Sequence, residues 1–175
     1  MKPEVKHNKK ANPVRAPRIE KIILTVGGTE EDLKRGAKLL EILSGMKPNI
    51  IASVKRIPDF DVSPGLEVGA QVTVRGKKAL DLLRRLLGAL DNQLKKKQIS
   101  TNHFSFGIKE YIEIPGMEYQ RDIGIRVLNV AVVVVRPGLR VKFRKIKRGI
   151  IPKKQHITQE EIISFMQAQF KTEFI

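Results

Sequence analysis

Apolar positions recur along this chain with two periods. Ile19, Ile22, Ile23, Leu24 and Val26 mark a β-strand over 18–26, and Val68, Ala70, Val72 and Val74 alternate with Thr73 and Arg75 in a second strand over 67–75. Between them, Leu33, Ala37, Leu40 and Leu43 recur at helical spacing. That helix is expected to open at Thr29, with Asp32 three residues on, and to stop at Gly45 before Pro48. A short strand over 49–55 leads into a loop, 56–66, containing Pro58, Pro64 and Gly65. Leu80, Leu83, Leu87, Leu90 and Leu94, widened by Leu82 and Leu86, predict one long helix over 77–97 whose leucine stripe is core. Strands follow over 104–114 and 127–135, the latter rich in β-branched residues. A capping box, Thr158-Gln159-Glu160-Glu161, opens a last helix presenting Ile162, Ile163, Met166 and Phe170. The order predicts an α+β fold: an antiparallel sheet with helices packed on one face and the other face free to bind a partner.

Charge changes this picture most after residue 135. Nine Lys or Arg and no acid lie between Arg136 and Lys154, more than half of the net charge of +16. In Leu139-Arg140-Val141-Lys142-Phe143-Arg144 charged and apolar positions alternate. Read as a strand, hairpinned through Arg136-Pro137-Gly138, this places Arg140, Lys142 and Arg144 on one face and Val141 and Phe143 on the other. The alternative is a solvated edge strand that deters aggregation. A second cationic flank, net +5, covers residues 1–21, whereas residues 22–135 carry only +4. Residues 1–17 read as a flexible basic arm and 18–175 as a single domain. Basic flanks on a balanced body suit a nucleic acid.

Other chemistry finds little support. The chain has no cysteine, and His7, His103 and His156 are far apart, so no metal site or cofactor is expected. The start Met1-Lys2-Pro3-Glu4 lacks an apolar run, so no signal peptide is expected, and the apolar run 130–135 is too short to span a bilayer, so a soluble intracellular protein is expected. Gly27-Gly28 matches neither dinucleotide nor P-loop spacing, and Glu30, Glu31 and Asp32 beside it would repel a phosphate. Phe104 and Phe106 share one strand face and read as core rather than as a base-stacking platform. The loop from Lys55 to Gly65 exposes Phe60 and is longer than most hairpin connections, which points to function. No catalytic constellation can be built from local spacing, which argues against a nucleotide-acting enzyme. A DNA-reading module would need a helix of polar readers, where this chain has leucines.

Several stretches together resemble the large-subunit ribosomal protein L-five family in its archaeal form. They are Asn12-Pro13-Val14-Arg15, Arg18-Ile19-Glu20-Lys21, Gly45-Met46-Lys47-Pro48, Val72-Thr73-Val74-Arg75-Gly76 and the run from Phe104 to Gly116. Asp122-Ile123-Gly124-Ile125, Arg136-Pro137-Gly138 and Thr158-Gln159-Glu160-Glu161 complete the series. The resemblance implies a cytoplasmic, non-enzymatic constituent of the large ribosomal subunit. Its implied partners are 5S rRNA, the large-subunit rRNA of the central protuberance, neighbouring 5S-binding proteins and, through a loop, peptidyl-site tRNA. Three recognition positions carry over: Thr73 matches, Thr25 stands where Asn is usual, and Met46 stands where Gln is usual. With the cations, the expected RNA-binding set is Arg15, Arg18, Thr25, Met46, Thr73, Arg75, Arg140, Lys142, Arg144, Lys145, Lys147 and Arg148. The tRNA-facing loop supplies Lys55, Arg56, Pro58, Phe60 and Ser63.

Overall fold

The computed structural model describes residues 13–175. Most of the N-terminal arm expected at 1–17 lies outside the described residues; within it, Pro13–Arg15 forms a 3-10 turn. The chain then runs through β1 (Arg18–Gly27), α1 (Glu30–Ser44), β2 (Asn49–Ala52), β3 (Glu67–Arg75), α2 (Lys77–Gly88) and β4 (Gln93–Leu94). There follow β5 (Ile99–Ser100), β6 (His103–Ile108), β7 (Leu128–Val135), a one-turn α3 (Arg140–Phe143), α4 (Gln159–Phe170) and β8 (Glu173–Phe174). Six strands form one antiparallel sheet in the order β2-β3-β1-β7-β6-β5, and β4 and β8 make a separate parallel pair.

Period-two patterning decides which way each strand faces. Ile22, Leu24 and Val26 of β1, Val72 and Val74 of β3, Val130, Val132 and Val134 of β7, and Phe104, Phe106 and Ile108 of β6 are all buried. Leu33, Leu39, Leu40 and Leu43 of α1, Leu82, Leu83, Leu86 and Leu87 of α2, and Ile162 and Met166 of α4 join them in one core. The expected α+β class, with helices on one face of an antiparallel sheet, holds. Phe104 and Phe106 stack at 6.3 Å inside that core, as the core reading of the pair requires.

Four elements depart from the expectation. The long helix ends at Gly88, where α2 passes so close to Pro115 that a Cβ would lie 3.3 Å from its Cγ. Asp91 and Asn92, both at positive φ, turn the chain back, so Leu94 reaches the core from β4 instead. The leucine stripe is core, but two elements share it. β6 ends at Ile108 where its pairing with β7 ends, and Tyr111 is then buried in a 3-10 turn, its hydroxyl accepting from the Gln120 N–H at 2.9 Å. β2 stops at Ala52 after an irregularity in its pairing with β3.

The basic strand does not form. Arg140–Phe143 is helical, with the Lys142 N–H donating to the Leu139 carbonyl and the Arg144 N–H to that of Arg140. The physical reason is topological: β7 is already paired on both sides, by β1 and β6, and offers no free edge to a hairpin partner. Gly138 at φ +103 carries the chain out of the sheet. Val141 is 37% and Phe143 59% exposed, so the expected core-facing side is absent.

Candidate nucleic-acid interface

The sheet face away from the helices carries hydrogen-bonding side chains in aligned rows, uncharged in the first two and joined by Arg75 and Lys21 in the third. Strand register places Asn49, Gln71, Thr25, Asn129 and Gly107 side by side across five strands. The next row holds Thr73, Ile23, Ala131 and Ser105. The third holds Arg75, Lys21, Val133, His103 and Ser100. Two shallow depressions mark this surface. One, of about 380 Å³, is lined by Met46, Asn49, Gln71 and Thr73. The other, of about 370 Å³, is lined by Thr25, Gln98, Ser105, Gly107 and Asn129. Amides and hydroxyls offer both donors and acceptors, the complement of base edges and 2′-hydroxyls.

Cations gather at one end of that face. Arg18 pairs in register with Val135, so the basic segment that follows β7 rises at the Arg18 and Lys21 end of the sheet. Arg140, Lys142, Arg144, Lys145, Lys147 and Arg148 are all exposed, and among the described residues none has an acidic side chain within salt-bridge distance. Arg136, counted with them in the sequence, has a different task. It donates to both carboxylate oxygens of Glu161 at 2.5 and 2.6 Å, tying the start of the segment to the N-terminus of α4. Glu161 also accepts from the Thr158 N–H, completing the expected capping box.

The loop expected to be functional leaves the sheet at its opposite end. Ile51 of β2 lies beside Gly69, and Gly69 beside Gly27, about 20 Å along β1 from Lys21. The Ile57 N–H donates to the Val62 carbonyl at 2.9 Å and the reverse bond is 3.1 Å, closing a small turn that buries Val62. Phe60 at its tip is 76% exposed, and Lys55, Arg56, Pro58 and Ser63 are exposed around it.

Thr25, Met46, Thr73 and Arg75 of the sequence-based set therefore meet on one surface, although they come from three separate stretches of chain. Arg15 and Arg18 are exposed at the cationic end. Sequence reasoning passed over Gln71, Asn49, Ser105 and Asn129. Gln71 was within reach, being two residues from Thr73 and on the same strand face. Asn129 was not, because only the pairing of β7 with β1 puts it beside Thr25.

The Gly27-Gly28 junction is an ordinary turn. The Gly28 N–H is taken by the Val68 carbonyl, and Thr29 sits at the N-cap of α1 without a side-chain cap bond. Asp32 pairs with Arg126, whose hydrogen bond chiefly holds the carboxyl below its ordinary range. Among the described residues there is no group of three acids or histidines suited to a metal ion, and no helix is long and apolar enough to cross a membrane.

The sequence model for the C-terminal part of the ribosomal L-five protein family matches residues 67–166. A large ribosomal subunit protein uL5 from Nanoarchaeum equitans is 38% identical, over 94% of this chain and 99% of that protein. The chain belongs to the ribosomal protein uL5 family. Further uL5 relatives come from Aeropyrum pernix, 38% identical over 95% of this chain and 88% of its own length, and Sulfurisphaera tokodaii, 36% identical over 94% and 95%. The uL5 family is a structural component of the large ribosomal subunit and not an enzyme family, consistent with the absence of a catalytic constellation in the sequence reading.

Proposed function

We propose that this chain binds 5S rRNA, helps attach it to the large-subunit rRNA in the central protuberance beside other 5S-binding proteins, and reaches peptidyl-site tRNA through the 55–65 loop. The observation that carries the reading is an open sheet face of aligned amides and hydroxyls, with unpaired cations standing at one end of it. Phosphate contacts position an RNA and neutral groups discriminate its shape and bases. Arg140, Lys142, Arg144, Lys145, Lys147 and Arg148, with Arg15, Arg18 and Arg75, take the first role. Thr73 and Thr25 take the second, and the flanking amides Gln71 and Asn129 add donors and acceptors beside Met46, whose thioether supplies little of either. Residues 18–175 act as one RNA-binding domain and 1–17 as a basic arm. In the 55–65 loop Lys55 and Arg56 meet phosphate at the base, while Phe60 at the tip offers a ring to a base.

The test is binding of the full chain to 5S rRNA and to an unrelated structured RNA of equal length, at matched salt, by gel mobility shift. Tighter binding of 5S rRNA by tenfold or more is the expected result. Equal affinity for the two overturns the 5S assignment.

A further inference from the structure

Where the basic segment returns over the end of the open sheet face, it leaves a cleft of about 840 Å³, within the range of about 300–1,000 Å³ that holds small organic ligands. Lys21, Val133 and Val135 form one side; Leu139, Phe143 and Ile150 form the other. Its shape is built in. The Gly149 N–H donates to the Val141 carbonyl at 3.1 Å, and Arg148 Nε donates to that of Lys142 at 2.7 Å, closing the segment on itself. Gln155 donates to the Pro137 carbonyl at 3.1 Å, and the Arg136 pair with Glu161 anchors the base.

The chemistry of this cleft differs from that of a phosphate groove. Phe143 is 59% and Ile150 96% exposed, although both sit in the most cationic stretch of the chain. Phosphate binding alone has no use for an aromatic ring there. A ring beside free cations suits an unstacked base, which gains from the π-face while its phosphate gains from the charge. Lys142 and Arg148 both line the cleft and are exposed, and Lys21 adds a further cation against the lining acid Glu20, while Arg136 is neutralised by Glu161. That balance favours an anion over an acidic or neutral protein segment.

We propose that this cleft takes a nucleotide from an unpaired stretch of RNA, its base against Phe143 and its phosphate held by Lys142 and Arg148. The inference rests on the RNA-binding reading above and adds a second kind of contact to it, where the third row of the sheet face meets the basic segment. Regular duplex cannot use the cleft, because its bases are already stacked and paired.

The chain contains no tryptophan, so Phe143→Trp in the full protein introduces the sole indole at the cleft. A ten-residue oligoadenylate is expected to quench its fluorescence saturably, while an abasic strand with the same number of phosphates is not. Independently, Phe143→Ala is expected to weaken oligoadenylate binding on the order of tenfold and leave binding to a blunt, fully paired RNA duplex unchanged. Equal quenching by the abasic strand, or equal loss for strand and duplex, overturns the proposal. So does an absence of quenching while 5S rRNA still binds, an outcome that would leave the cleft to a protein neighbour and the proposed function intact. Failure to bind any RNA would sink both readings together.

Discussion

The salt dependence of RNA binding follows directly from the geometry of the basic segment. Arg140, Arg144 and Lys145 are exposed, and among the described residues they carry no ion pair and make no side-chain hydrogen bond. Replacing all three by Gln therefore removes charge without removing support, whereas Arg148 holds the segment closed and is left in place. If the six free cations of this segment each neutralise one phosphate, they contribute a slope of log K against log salt of about −4 to −5.5. Between 50 and 200 mM salt that slope corresponds to a loss of affinity on the order of a thousandfold. Removing three contacts should make the slope shallower by about 2 to 2.7, cutting the loss over the same interval to roughly 20- to 40-fold for this segment. Filter binding of 5S rRNA across that range, with circular dichroism melts to confirm an unchanged fold, measures both quantities. A triple variant with the parental slope would refute the argument: the segment would then be a solvated surface, and the phosphates would be held elsewhere.

Three further outcomes are expected. Thr73→Val keeps shape but removes a hydroxyl from the open face, so 5S affinity should fall by about two- to tenfold with the salt slope unchanged; a change in slope would mean that Thr73 serves charge placement rather than recognition. A Cβ at Gly36 would lie 2.6 Å from Val26 Cγ1, between α1 and β1, so Gly36→Ala should lower the melting temperature by a few degrees. A rise in melting temperature would show that the gain in helix propensity outweighs the collision. Asp32, held below the ordinary carboxylate range by the Arg126 hydrogen bond, contributes stability that is present above its unfolded pKa and lost as pH falls below about 4. Asp32→Asn should therefore lower the urea midpoint at pH 7 and lower it by less at pH 2.5; an equal deficit at both values would contradict the assignment.

The sequence by itself determined the fold class, because strands such as Ile22-Leu24-Val26 and the leucines of α1 and α2 carry their burial in local spacing. It also determined the ends marked by strong local chemistry: Gly45 in the left-handed conformation after α1, and the capping box at Thr158. The excess of positive charge after residue 135 and the motifs of the uL5 family were equally legible, since neither depends on which elements meet. Tertiary structure decided the rest. Alternation in 139–144 has no meaning without a strand edge to pair with, and the sheet order had already occupied both edges of β7. Leucine spacing could not reveal that α2 stops at Gly88, where a side chain would crowd Pro115. Nor could any local pattern assemble Asn49, Gln71, Thr25 and Asn129, because a row across a sheet is made by register between distant segments, and register is settled only when the whole core packs.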